Sequence, residues 1–384
     1  MKKKDGELFF VFRISHFQLY CILLLLVGPV AFLETPNILI IHLGCNAWLA
    51  AIGAIVPGIL LAAMFQYIIK KSSQPFPLLL EEHLGKILGK ILGFLYILAF
   101  LLASSFTLRL FVDFIVTNVL PQTPISVFIG VLLLVGFVAI KSGLENLARC
   151  CELVVILGLP FAFLIFLAAI IENWNPGNLL PFARMDLTSF SLGLSSCSYV
   201  LGKMLPVLSL AFFCPRQKKI RQVMLLVIFS YVALMLATTL ATLMTLDTTM
   251  SNIATFPTFS TIRLLHIADF IQNIDIVFIG IWILGVFGSV SIPWFMACYT
   301  TQQLFALKDY RFLAAPSSLI IGVFSILMSK NIMELLAVSM HIIPLLYSFA
   351  FILLPFLLFL LTLFKAYPES ETLAEPEAKA ESSA

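Results

Sequence analysis

The sequence predicts an all-α membrane protein with ten transmembrane helices, and three observations support this prediction. Of the 384 residues, 61% are hydrophobic and 11% are charged, and the mean hydropathy is +1.07, whereas about a quarter of a soluble globular chain is charged. Ten apolar runs are long enough for a bilayer crossing, which needs about 20 residues. The basic residues cluster between these runs. Together these features exclude a water-soluble fold and, with a net charge of only +3, disfavour a nucleic-acid partner.

The ten runs divide into two sets of five. The first five-helix repeat is expected over residues 14–171, with spans at 14–41, 47–69, 86–120, 125–140 and 147–171. The second is expected over residues 189–364, with spans at 189–213, 223–246, 270–307, 312–328 and 333–364. A cytoplasmic N-terminus (1–13), an extracytoplasmic linker (172–188) and a disordered cytoplasmic tail (365–384) complete the predicted organisation.

The distribution of Lys and Arg predicts the orientation. Positively charged loops tend to stay on the cytoplasmic side, and an inside N-terminus places all but five of the 23 Lys and Arg residues there. The five exceptions are Arg184, Arg263 and Lys330 outside, and Arg109 and Lys203 within spans. An even number of spans with both termini cytoplasmic therefore fits the sequence.

Five spans that start inside, followed by five that start outside, have the opposite topologies of an inverted-repeat transporter. The first span of each half carries a potential break, at Gly28 and Pro29 and at Gly202 and Pro206. Proline removes a backbone donor, so each helix could open and offer peptide groups to a ligand. Each pair alone is typical of an ordinary kink in a membrane helix, but the matched positions favour a binding site between the halves.

Lys203 is the most informative ionisable residue because a charge within a span costs at least about 2.5–3.5 kcal/mol. It follows Gly202 directly. Its ammonium could bind a ligand carboxylate, take the place of a coupling cation, or simply bond to carbonyls exposed by the broken helix. The residues alone leave these alternatives open.

Other polar residues are interpreted as structural. Arg109 and Asp113 have the spacing of an ion pair on one helix face. Glu145 and Arg149 have the same spacing and are expected to fix a loop. The repeat GKILGKILG, residues 85–93, is expected to allow close helix packing. Standard catalytic and phosphate-binding motifs are absent from the sequence, and the cysteines lack metal-ligand spacing. We therefore expect no enzyme activity, cofactor or metal.

A set of local strings resembles the B subunit of endospore germinant receptors, a branch of the amino acid, polyamine and organocation transporter superfamily. The first half supplies ISHFQL, NAWLA, FPLLLEEHLGKILGKILG, LPQTP, SGLENLARCCEL and NLLPF. The second half supplies CPRQKKIR, FPTFSTIR, the region of Trp282, and LFALKDYRFL. Their order and spacing extend along nearly the whole chain.

This resemblance implies a LeuT-like fold in the inner membrane of a spore, working with a larger A subunit and a lipoprotein C subunit. The ligand would be a germinant, often an amino acid and in some relatives a sugar or nucleoside. The resemblance implies ligand contacts from spans one, three, six and eight. On this chain the corresponding residues are Gly28, Pro29, Val30, Ala103, Thr107, Leu205, Pro206, Ser209, Gly288 and Ser289.

Two departures from the family pattern affect the expected ligand. Span one reads Gly28–Pro29–Val30 where the family normally has two glycines around a small residue, and Ser209 lies near the usual position of a glutamate. With Lys203 also present, the hypothesis is a carboxylate-bearing germinant held by that ammonium. A secondary amino-acid transporter and a scaffold subunit with a vestigial pocket are the alternative functions.

Overall fold

The structure is a computed structural model that describes residues 13–72, 74–180, 186–215, 219–265 and 274–364. Regular secondary structure in those ranges is entirely helical. The predicted N-terminal segment up to residue 12, the tail and part of the predicted linker lie outside the described residues, as do Arg184, Arg216 and Lys218 of the predicted charge distribution.

The first half of the chain forms seven α-helices. α1 begins after Ser15, whose hydroxyl accepts a hydrogen bond from the Gln18 N–H. The Gln18 side chain in turn accepts a hydrogen bond from the Ser15 N–H. These two bonds form a capping box that fixes the start of the helix. The helices are α1 (His16–Leu43), α2 (Ala47–Gly53), α3 (Ile55–Lys71), α4 (Leu78–Leu84), α5 (Lys86–Asn118), α6 (Ile125–Ser142) and α7 (Leu144–Glu172).

The second half is more interrupted. Its α-helices are α8 (Leu187–Gly202), α9 (Val207–Leu210), α10 (Ile220–Ile253), α11 (Pro257–Arg263), α12 (Ile274–Leu304), α13 (Ala314–Leu327), α14 (Ile332–Ala337), α15 (Ile343–Ser348) and α16 (Leu354–Phe364). Two π-helical segments, Val338–Ile342 and Phe349–Leu353, flank α15.

Among the described residues, eight helical stretches are long and apolar enough to cross a membrane. Two shorter apolar helices, His16–Pro29 and Arg311–Leu327, add to them. Many large hydrophobic side chains are exposed along these helices, for example Leu60, Leu134 and Leu319, as expected for surfaces that face lipid. The chain is therefore a multi-pass helical membrane protein.

α1 lies at the centre of the bundle, where it packs against α7, α8, α10 and α12. α5 packs along α12 and also contacts α13. Close approach at one edge depends on Gly89, since a Cβ there would lie 2.5 Å from the Glu81 backbone of α4. The packing interpretation of the GKILGKILG repeat is confirmed at this position.

The predicted break in span one is wrong. α1 remains helical from His16 to Leu43 with Pro29 and Pro36 inside it, so it does not open at residues 28–30. The predicted interruption of span six is confirmed, because α8 ends at Gly202 and a run of turns precedes α9. The two halves therefore differ at the positions where the sequence predicts matching breaks.

Candidate ligand-binding site

α12 explains why α1 stays helical through Pro29. Proline lacks the N–H that would bond to the carbonyl of Leu25, four residues earlier. The Ser289 hydroxyl donates to that Leu25 carbonyl at 2.5 Å, and the Trp282 indole N–H donates to the Pro29 carbonyl at 2.8 Å. Side chains of α12 thus bond to backbone carbonyls that an opened helix would offer to a ligand.

The predicted site residues of spans one and eight lie together. A Cβ on Gly288 would come within 2.7 Å of the Leu25 side chain, and one on Gly285 within 3.0 Å of the Pro29 ring. Gly28 and Pro29 line an apolar cavity of about 60 Å³ between α1, α7 and α12. This volume is well below the roughly 300–1,000 Å³ of a typical ligand pocket, so the helices are closed together here. The Val30 side chain lies outside the described part of the chain.

The interruption of span six is a tight, hydrogen-bonded turn. The N–H groups of Lys203, Met204 and Leu205 bond to carbonyls three residues earlier, at 3.1, 3.1 and 3.0 Å. Leu205 and Pro206 are buried. The turn ends α8 inside the protein and places a lysine at the helix C-terminus, where a positive charge is favourable.

Ser209 and the candidates from span three occupy different surroundings. The Ser209 hydroxyl donates to the Phe76 carbonyl at 2.5 Å, so it anchors the segment before α4. Ala103 and Thr107 are buried on α5. Between them, Ser104 bonds to the Val290 carbonyl of α12 at 3.0 Å.

Lys203 is buried, with 7% of its surface exposed. Its ammonium lies 6.0 Å from the centroid of the Tyr347 ring, within the range of a cation–π contact. It also interacts electrostatically with Glu34 of α1. Lys203 and Glu34 do not form one of the contact ion pairs of the described residues. The opposite charges of spans one and six therefore lie close enough to influence each other but are not in contact.

Glu34 is a residue that the sequence interpretation missed. One carboxylate oxygen is buried and has no hydrogen-bond partner among the described residues. Glu34 is the only acidic residue in the predicted first span, and the cost of a charge in a membrane helix could have identified it. Its pairing could not be found from sequence because it depends on contact between α1 and α8.

Two tyrosines lie beside the two charges, and a third is buried nearby against α8. The rings of Tyr199 on α8 and Tyr347 on α15 are 6.1 Å apart, and both side chains interact electrostatically with Glu34. Tyr231 of α10 is also buried and contacts Cys197 of α8. The Tyr347 hydroxyl has no hydrogen-bond partner among the described residues, and π-helical segments such as those that flank α15 are frequent at functional sites.

The remaining charged pairs have structural roles. Arg109 and Asp113 form the predicted ion pair at 2.8 Å, almost fully buried. The guanidinium also donates to the carbonyls of Ser325 and Ile326 at the end of α13, at 3.4 and 3.5 Å. Glu145 accepts a hydrogen bond from the Arg13 N–H at 3.1 Å, in agreement with a role in fixing a loop. Within the described residues there is no cluster of His, Cys, Asp and Glu suited to a metal ion.

Comparisons with known proteins agree on the family. A family model described as "Spore germination protein" matches residues 13–333. Spore germination protein KB of Bacillus subtilis (strain 168) is 27% identical over 375 residues, which cover 96% of this chain and 99% of that protein. YfkT of the same organism, also named as a spore germination protein, is 23% identical over 346 residues, or 87% of this chain and 91% of that one.

A solved structure supports the fold. Mhp1, a nucleobase-cation-symport-1 family transporter in a closed conformation with bromovinylhydantoin bound, superposes with a TM-score of 0.62 at 13% identity. The superposition covers 89% of this chain and 79% of the transporter. At this identity the likeness establishes a LeuT-like transporter fold and nothing about the ligand.

Proposed function

This chain belongs to the spore germination protein family, Spore_permease, and from that premise we propose that it is the ligand-sensing transmembrane subunit of a spore germinant receptor. Its ligand is a small germinant, an amino acid in the first instance, that binds between α1 and the interrupted α8. The subunit signals together with A-type and C-type subunits in the inner membrane of the spore. The family and the transporter-like fold support this proposal, which assigns the chain no enzymatic step.

The observation that carries the proposal is a pair of opposite charges on α1 and α8, the buried Lys203 and Glu34, which has one buried carboxylate oxygen. Glu34 and Lys203 interact electrostatically without contact pairing. Two charges held in a membrane protein without close partners are costly. An amino acid offers a carboxylate to Lys203 and an ammonium to Glu34, so it can satisfy both groups at once.

The proposed topology has ten spans in two inverted five-helix repeats, with both termini cytoplasmic. The eight long apolar helices and the two shorter ones among the described residues support this count. The cytoplasmic placement is supported by the positive-inside distribution of Lys and Arg. In this arrangement Glu34 of the first repeat and Lys203 of the second lie near each other within the membrane.

Germinant dose responses test the binding site. Lys203→Met and Glu34→Gln should each raise the germinant concentration for half-maximal germination by about 10- to 100-fold, because a hydrogen bond to a charged group contributes about 1.5–3 kcal/mol. Lys141→Met is the control, since Lys141 is exposed on α6. An unchanged dose response in both site variants would contradict the proposed contacts.

A secondary amino-acid transporter is the second candidate, and the likeness to a transporter fold favours it. Uptake of labelled amino acids into proteoliposomes that contain this chain alone separates the two functions. The sensing proposal expects saturable binding without concentrative uptake. Concentrative uptake would establish the transporter instead, and absence of binding would favour a scaffold subunit.

A further inference from the structure

The carboxylate of Glu34 marks a site that needs a positive charge. One of its oxygens is buried without a hydrogen-bond partner among the described residues, and a buried carboxylate is stable only when it is paired or neutralised. Neutralisation requires a cation or a proton. In the absence of germinant, this positive charge must come from the protein itself or from the solution.

The surroundings of Glu34 have the chemistry of a monovalent-cation site. α8 ends at Gly202, and a helix C-terminus carries partial negative charge on its last carbonyls. The ring face of Tyr347 adds a further weakly negative surface. These groups suit a small cation or an ammonium rather than a divalent metal, which would require more oxygen ligands.

The chain itself supplies a cation to this place. Lys203 caps the α8 C-terminus, its ammonium lies 6.0 Å from the Tyr347 ring centroid, and it interacts with Glu34. We propose that Lys203 is a built-in replacement for a free monovalent cation in a site formed by Glu34, Tyr347 and the end of α8. The protein then needs no bound sodium or potassium ion to hold α1 and α8 together.

Removing the lysine should open this site to cations from solution. The purified full-length chain is unfolded thermally in choline chloride and in sodium, potassium or methylammonium chloride at constant ionic strength. Lys203→Met should gain a saturable rise in Tm of a few degrees with at least one small cation, because a ligand that binds only the folded state stabilises it. The wild-type Tm should not depend on which cation is present.

Two controls make the result specific. Lys141→Met removes an exposed lysine that lies 5.3 Å from the Phe137 ring centroid, and its Tm should depend on cation identity no more than that of the wild type. The double variant Glu34→Gln/Lys203→Met should lose the cation response, because the carboxylate is no longer charged.

The proposal is overturned if the wild-type Tm rises saturably with one small cation, or if Lys203→Met responds no more than Lys141→Met. If Lys203→Met does not fold, the neutral double variant should restore the yield of folded protein, and no restoration would also overturn the proposal. Since no germinant is added, these outcomes do not depend on the germinant response and can be distinguished from a failure of the proposed function.

Discussion

Contact between α1 and α12 at Gly288 leads to a sharp stability prediction. In Gly288→Ala the new Cβ would lie 2.7 Å from Leu25 Cδ1 and 3.2 Å from Leu25 Cβ. The Cδ1 atom can move by a rotamer change, but the Cβ is fixed to the α1 backbone, so the two helices must separate slightly. Overpacking of this kind costs about 1–3 kcal/mol.

Gly280→Ala on the same helix is the matched control, because a Cβ at that position meets nothing within 4 Å. Both substitutions gain about 0.5–1 kcal/mol of helix propensity. The free energy of unfolding of Gly288→Ala should therefore lie about 1–3 kcal/mol below that of Gly280→Ala.

Reversible unfolding of the purified protein in mixed detergent micelles measures this difference. A double-mutant cycle with Leu25→Ala should show a favourable coupling, since truncation of Leu25 removes the Cδ1 contact at 2.7 Å and leaves only the milder Cβ contact at 3.2 Å. Equal stability of the two alanine variants would refute the close contact between α1 and α12.

Two further predictions concern polar contacts. Ser289→Ala should lower the free energy of unfolding by about 1 kcal/mol, because the hydroxyl bonds a carbonyl left without its helical donor; stability equal to the wild type would contradict this role. Asp113→Asn should cost about 3–5 kcal/mol because it leaves a buried guanidinium without its partner, whereas Asp275→Asn, in the more exposed pair with Arg263, should cost no more than about 1 kcal/mol. Chemical unfolding of both Asp variants checks the contrast, and similar losses would show that burial does not decide the cost.

The sequence predicts the helical architecture well because the length and composition of each apolar run are local properties that can be read without knowing the tertiary structure. The interruption at Gly202–Pro206 is also predicted, since the chain there cannot continue as a regular helix into α9. The break at Gly28–Pro29 is predicted wrongly for a tertiary reason. Donors on α12, more than 250 positions later in the chain, satisfy the carbonyls around Pro29 and keep α1 helical.

The pair formed by Glu34 and Lys203 is predicted only in part. Lys203 is identifiable because a lysine next to a glycine within a span is unusual, but its partner Glu34 lies in the other half of the chain. Ser209 is assigned to the pocket by family position, yet its hydroxyl bonds to the Phe76 carbonyl. Local sequence patterns identify charged residues that are costly to bury. Which of these residues lie near each other depends on the packing of α1 against α8, which the sequence does not show.

The short α13 has a consequence for the surrounding membrane. Its 14 residues and the three-residue 3-10 turn before them rise about 27 Å, slightly less than the roughly 30 Å of the hydrocarbon core of a bilayer. Arg109 bonds the carbonyls at the end of this helix, which favours a defined helix end. Acyl chains that border α13 must shorten or tilt to match it, at a cost of fractions of a kcal/mol per ångström of hydrophobic mismatch. Lipids with shorter tails should therefore accommodate this side of the protein better than long-tailed ones.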